Sequence, residues 1–352
     1  MKPWRLTRFL FVAVVVLAAC HRPAETRRDT SIQSSELLAV DSLLWTQPDS
    51  ALTCLMACYD TVGDRHYANL LLAELLYKND YEQTNRTELL AAVAYYDSVS
   101  DPFLAARAHY INGVGYYERD SVVPACEQYL KAVEIMEEHF TEKELVGQKA
   151  KFMALTYNRL GSFFSEQFMM QPSINCFERS LHFCTIEPTS PQGVSKTLYL
   201  IGKQYDKLNE TDKAREYYLS AIKEAPSHNT PFYRDILVYK ALCDYQTIGD
   251  IAQTLNVLKQ TFEQAANEDE RLTRSFVIGA ILSEEGMFDS ALYYLTPVFA
   301  NEENLNRKIQ ATEYLRVIYD SLGNKEELGV CERFLACHKK NGRRIESVSF
   351  NA

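Results

Sequence analysis

A single set of spacings limits what this chain can fold into. Four times, a glycine in an apolar stretch is followed at offsets of 3, 12, 16 and 19 by an apolar, a small, a second large apolar and a second small or β-branched residue. Gly113 leads to Tyr116, Ala125, Tyr129 and Ala132; Gly161 to Phe164, Ser173, Phe177 and Ser180; Gly202 to Tyr205, Ala214, Tyr218 and Ala221; Gly279 to Leu282, Ala291, Leu295 and Val298. A glycine on one helix lets a second helix approach closely, the small residues sit where that second helix faces the first, and the aromatic or leucine fills the wedge between them. Self-similarity of this kind marks an array of helical hairpins and takes precedence over domain guesses. Composition agrees. The 352 residues include 13 Gly and 11 Pro, too few for a turn-dense all-β chain, and 47% hydrophobic residues, too many for disorder.

The segment from Ser195 to His228 fills one such frame completely. Leu198, Ile201, Gly202, Tyr205, Ala214, Tyr218, Ala221 and Pro226 stand at positions 4, 7, 8, 11, 20, 24, 27 and 32 of a 34-residue unit, and Pro226 stops the second helix. This resembles the tetratricopeptide repeat. The resemblance implies an all-α fold, a helical-hairpin solenoid wound as a right-handed superhelix of about eight antiparallel helix pairs. The intervals between glycines depart from the family: 48 residues from Gly113 to Gly161 and 41 from Gly161 to Gly202. The excesses of 14 and 7 are close to whole helical turns, so they lengthen helices and keep the packing face. The expected pairs are 34–60, 65–99, 103–138, 144–184, 192–224, 232–265, 269–300 and 304–338. Partial copies fill the ends, with Ala51, Leu55 and Cys58 at the second-helix spacing and Tyr319-Asp320-Ser321-Leu322 echoing Tyr205-Asp206-Lys207-Leu208.

The first residues read as an address. Lys2, Arg5 and Arg8 precede an uncharged run from Phe9 to Ala19, too short to span a bilayer, that ends in Leu17-Ala18-Ala19-Cys20. This resembles the bacterial lipobox, which implies cleavage before Cys20, lipid on its sulfur and several acyl chains as the membrane anchor. Residues 1–19 are then a lipoprotein signal peptide, 20–33 a lipidated Cys and polar tether, 34–338 the repeat domain and 339–352 a basic C-terminal tail. Loss of 1–19 leaves 34 basic against 47 acidic residues, a formal charge of −13. Such a body is repelled by an anionic membrane, so contact runs through the lipid alone, and the charge excludes the counterion-release term that drives nucleic-acid binding. As a whole the chain is similar to tetratricopeptide-repeat lipoproteins of Gram-negative, Bacteroidetes-like cell envelopes, which places it in the envelope, facing the periplasm from the outer membrane.

No motif for catalysis is present. There is no P-loop, GxSxG or HExxH, and Gly113-Val114-Gly115 continues into Tyr116, Tyr117 and Glu118 instead of completing a dinucleotide motif. No enzyme activity, cofactor or metal is expected: His109 and His182 read as packed or partly exposed side chains, and Glu137-Glu138-His139 as a solvated helix end. Besides Cys20 there are eight cysteines, at 54, 58, 126, 176, 184, 243, 331 and 337. Most lie on apolar helical faces and read as buried thiols, with Cys331 and Cys337 one candidate for a bridge.

The resemblance also assigns faces. The packing positions are Gly113, Tyr116, Ala125, Gly161, Phe164, Gly202, Tyr205, Ala214, Tyr218, Ala221, Gly279 and Ala291. Positions 2, 5, 9, 12 and 13 of each first helix line a concave groove that takes a protein or peptide. They fall on Arg107, Tyr110, Val114, Tyr117 and Glu118; on Asn158, Ser162, Ser165 and Glu166; and on Lys196, Tyr199, Lys203, Asp206 and Lys207. This mixture of cations, acids and tyrosines suits a polar peptide and a non-enzymatic scaffold or adaptor. Two alternatives stay open: a periplasmic sensor module acting through a partner, and a glycan-capture lipoprotein in which some of the 22 tyrosines serve as exposed platforms.

Overall fold

The computed structural model describes residues 34–82, 86–188 and 190–339. The expected signal peptide, Cys20, the tether and the tail beyond Lys339 lie outside the described residues. Among the described residues there are sixteen α-helices and no strand. They are α1 (Ser35–Leu43), α2 (Pro48–Cys58), α3 (Arg65–Lys78), α4 (Arg86–Ser98), α5 (Pro102–Tyr117), α6 (Val122–His139), α7 (Gln148–Glu166), α8 (Met170–Ile186), α9 (Gly193–Lys207), α10 (Thr211–Lys223), α11 (Pro231–Ile248), α12 (Ile251–Glu263), α13 (Glu268–Glu284), α14 (Phe288–Asn301), α15 (Leu305–Ser321) and α16 (Lys325–Lys339). Every expected pair becomes a hairpin, with ends displaced by a few residues. No described helix is long and apolar enough to cross a membrane.

Local chemistry sets the boundaries. Asp101 accepts from the Leu104 N–H ahead of Pro102, and Thr230 accepts from the Tyr233 N–H ahead of Pro231, so each helix starts with a capped donor and a proline in its first turn. Gly249 ends α11 in the left-handed region at φ 72°, where a β-carbon would be strained. Pro226 lies just beyond α10, as the repeat frame requires.

The described residues divide into two compact units, the first ending at Glu144 and the second beginning at Leu145. In the first, α1 to α6 pack in sequence, and the first helices of successive hairpins, α1, α3 and α5, also touch one another. In the second, α7 to α16 pack in the same order. The close contacts sit at the glycines. A β-carbon added to Gly113 would lie 2.7 Å from Tyr129, one on Gly161 2.7 Å from Phe177, one on Gly202 2.7 Å from Tyr218 and one on Gly279 2.5 Å from Leu295. Ala125, Ala214, Ala221 and Ala291 are fully buried on the opposing helices. Where the frame has serine in place of alanine, the hydroxyl is satisfied: Ser173 donates to the Gly161 carbonyl at 2.7 Å and Ser180 to the Ala154 carbonyl at 2.8 Å.

Three packing residues are less enclosed than the frame implies. Tyr116, Phe164 and Tyr205 are half-buried, because they stand in the last turn or two of α5, α7 and α9, where the hairpin opens toward its loop. Tyr205 covers itself by stacking on Tyr217 at 5.4 Å between ring centres. All eight cysteines are free thiols, Cys331 buried and Cys337 exposed. Burial pushes the Cys176 thiol up to about 11 and the Cys243 thiol up to about 12, so neither is a ready nucleophile.

Candidate functional site

The groove positions divide by unit. On α5, Arg107, Tyr110 and Val114 are buried at 3%, 8% and 3% exposure, so the expectation that they line an open groove is wrong. The cause is a cluster the repeat frame does not contain. The Arg107 guanidinium donates to Glu74 on α3 at 2.9 and 2.6 Å and to Asp41 on α1 at 3.0 and 2.6 Å. Burial disfavours its charge, but the two carboxylates outweigh that and hold its pKa well above the ordinary value. Tyr110 lies against Tyr129, with ring centres 5.6 Å apart. Only Tyr117 and Glu118, at the end of α5, remain exposed.

In the second unit the corresponding residues reach the surface. On α7, Asn158, Ser162 and Ser165 are half-buried and Glu166 is exposed; on α9, Lys196 and Lys207 are exposed while Tyr199, Lys203 and Asp206 are half-buried. The two helices are tied by Lys207, which donates to the Ser165 hydroxyl at 2.8 Å. Asn158 and Lys196 share a cavity of about 190 Å³ with Ser180, Ser190 and Thr197. That volume is below the roughly 300 Å³ at which small-molecule pockets begin, and it suits one side chain of a larger ligand.

Tyr199 has a double role. Its ring packs on Tyr218 at 5.9 Å, Phe232 at 5.5 Å and Tyr239 at 5.6 Å, so one side belongs to the core. Lys203 places its ammonium over both the Tyr199 and Tyr239 rings, at 5.6 and 5.4 Å. Burial raises the Asp206 carboxyl above its usual range, with Lys203 opposing. Neither Lys196 nor Lys203 makes an ion pair among the described residues.

The next two first helices extend this face with residues the sequence reading missed. Tyr239 on α11 and Phe276 on α13 stand three residues before Leu242 and Gly279, the register of Tyr199. Arg274 on α13 pairs with Asp235 and lies 3.6 Å from Glu270, which Arg234 holds at 2.9 Å. A signal for the α11 hairpin was present: from Leu242, offsets of 3, 12, 16 and 19 reach Tyr245, Thr254, Leu258 and Thr261. Leucine in place of glycine and threonine in place of alanine concealed it. Thr254, Leu258 and Thr261 are buried.

His109 is buried, its Nε2 2.9 Å from Asp97 and its Nδ1 2.8 Å from Gln128, joining α4, α5 and α6. His182 is exposed, lying edge-on to Phe183. Among the described residues no group of three or more His, Cys, Asp or Glu is arranged to hold a metal.

No family model matches the sequence, and no curated protein does. Solved structures do. The apo form of RapI superposes with a TM-score of 0.57 at 14% identity, over 87% of this chain and 83% of that one. The Cut9–Hcn1 hetero-tetramer of the APC/C gives 0.55 at 13% identity, over 80% of this chain and 48% of that one. A STAND signal-transduction ATPase with a tetratricopeptide repeat sensor from Pyrococcus horikoshii gives 0.53 at 14%, over 85% and 43%. At these identities the likeness establishes the fold, a tetratricopeptide-like helical-hairpin solenoid.

Proposed function

We propose that the chain is a non-enzymatic interaction protein that holds a polar peptide or protein segment on the first-helix face of its second unit. One observation carries this reading: at the register where the first unit buries Arg107, Tyr110 and Val114, the second leaves Tyr199 and Lys203 half-buried and exposes Lys196 at a cavity of side-chain size. Lys196 and Lys203, which make no ion pair among the described residues, with Lys203 over two tyrosine rings, suit a ligand with carboxylates along an extended backbone. A lipid anchor on Cys20 belongs to the same proposal. It would hold this face in the cell envelope, on the periplasmic side of the outer membrane.

The binding test uses the lysines, because Tyr199 is also part of the core. A Lys196→Ala/Lys203→Ala variant should keep the wild-type melting temperature and lose about tenfold or more in affinity for the envelope partner identified by crosslinking. Binding to wild type should also weaken as salt rises, since exposed charge contacts are screened over ~8 Å at physiological ionic strength. A ligand held equally by both proteins and indifferent to salt would turn the reading toward an aromatic glycan platform. For the anchor, metabolic labelling with a fatty acid should mark wild type and leave Cys20→Ser unlabelled; equal label in both removes the anchor from the proposal.

A further inference from the structure

A second constellation lies in the first unit. Arg86 opens α4, and Arg119 follows the end of α5. Both guanidiniums pack on one ring, that of Tyr116, at 4.5 and 5.9 Å from its centre. Neither makes an ion pair among the described residues. Nη1 of Arg86 is enclosed and has no hydrogen-bond partner among the described residues, an arrangement that costs free energy for any donor and more for a charged one. Two carboxylates stand nearby, Glu118 and Glu82, and neither reaches the guanidiniums. Glu118 is instead pushed above the usual carboxylate range, by burial first and by Glu82, with Arg119 opposing. Arg119 is held below its ordinary value by desolvation and then by the charge of Arg86, which outweighs the attraction of Glu118. Two guanidiniums against one aromatic ring, with an unmet donor and no carboxylate in ion-pair contact among the described residues, have the chemistry of an anion site.

We propose that Arg86 and Arg119, braced on the Tyr116 ring, bind a doubly charged oxyanion: phosphate, free or as a monoester. The planar forks of two guanidiniums match the oxygens of a phosphoryl group, whose two charges exceed what a single carboxylate offers. The tyrosine ring covers one face of each fork, which fixes the forks without competing for their N–H groups. Glu118 and Glu82 set the selectivity, because their charges oppose a loosely held anion and leave a net gain only for a ligand that engages both arginines.

Isothermal titration of the full-length chain at low salt, with inorganic phosphate and separately with O-phosphoserine, tests this. Wild type should bind, Arg86→Gln and Arg119→Gln should each weaken binding about tenfold or more, and Glu118→Gln should tighten it. Lys131→Gln, which removes an exposed i,i+3 ion pair with Glu134, should leave binding unchanged. Tighter binding of phosphoserine than of phosphate would identify the natural ligand as an ester, and the reverse as the free ion. Either outcome supports the site. Arg119 is exposed and outside any helix, so Arg119→Gln keeps the test decisive if Arg86→Gln unfolds, as read by circular dichroism. Wild type without binding at millimolar phosphate, or with binding that both variants retain, overturns the proposal.

Discussion

Six and three residues before Gly113 stand Arg107 and Tyr110; six and three before Gly202 stand Lys196 and Tyr199. The register is the same, and so is the chemistry, a cation followed by a tyrosine. Yet Arg107 is enclosed between Glu74 and Asp41, whereas Lys196 meets solvent beside a cavity. Register specifies which face of a first helix a residue occupies. The neighbouring first helices decide whether that face is open, and in the first unit α1 and α3 bring two carboxylates that close it. The same motif therefore supplies core electrostatics in one unit and a candidate binding surface in the other.

The sharpest way to break this comparison is to remove the two cations. Arg107→Ala strands two nearly buried carboxylates and should cost about 3–5 kcal/mol in denaturant unfolding, against about 0.5 kcal/mol or less for Lys196→Ala. Equal costs would mean the two positions do not differ in kind. The close glycines come next and should behave alike in both units. Gly113→Leu and Gly202→Leu each force a side chain into a tyrosine that a bare β-carbon already meets at 2.7 Å, for about 1–3 kcal/mol or more. Gly63→Ala, with nothing within 4 Å, is the control that should melt like wild type.

A pH titration adds a third contrast. Glu270 is held below the usual carboxylate range, chiefly by its hydrogen bond from Arg234, with burial opposing and Arg274 assisting. Its folded pKa lies below its unfolded one, so its contribution is complete above the ordinary carboxylate range and is lost as pH falls through the depressed value. Glu270→Gln should lower stability at neutral pH and flatten the acid limb of the stability curve. An unchanged acid limb would show that the pair contributes nothing to pH-linked folding. The smallest effect is expected at Ser173. Alanine already serves at the equivalent sites 125, 214 and 291, so Ser173→Ala should cost about 1 kcal/mol or less in the same unfolding experiment.

Much of the architecture was legible in residue spacing. Hairpins built on Gly113, Gly161, Gly202 and Gly279 announce themselves because close helix contact demands a missing side chain on one helix and small residues on the other. The hairpin around Leu242 was harder to read as a repeat, because leucine and threonine meet the same packing need by different shapes. The candidate site was legible in part. Lys196, Tyr199 and Lys203 follow from register, whereas Tyr239 joins the face from a hairpin whose leucine hides its frame, and Phe276 from the Gly279 hairpin, where only packing positions are assigned. The oxyanion site left no trace in spacing. Arg86 and Arg119 belong to different hairpins, at a helix start and in a loop, and only the fold brings both onto Tyr116.

The sequence by itself determined the all-helical fold, the hairpin boundaries and the close contacts at the glycines, because these depend on interactions between residues within one hairpin, repeated at fixed offsets. Only the tertiary structure decided that Arg107 is buried, that Tyr199 is half core and half surface, and that Arg86 and Arg119 pack on the same Tyr116 ring. Each of those outcomes depends on side chains arriving from helices 30 or more positions away or from another hairpin, where charge pairing and desolvation act through space and leave no periodicity along the chain.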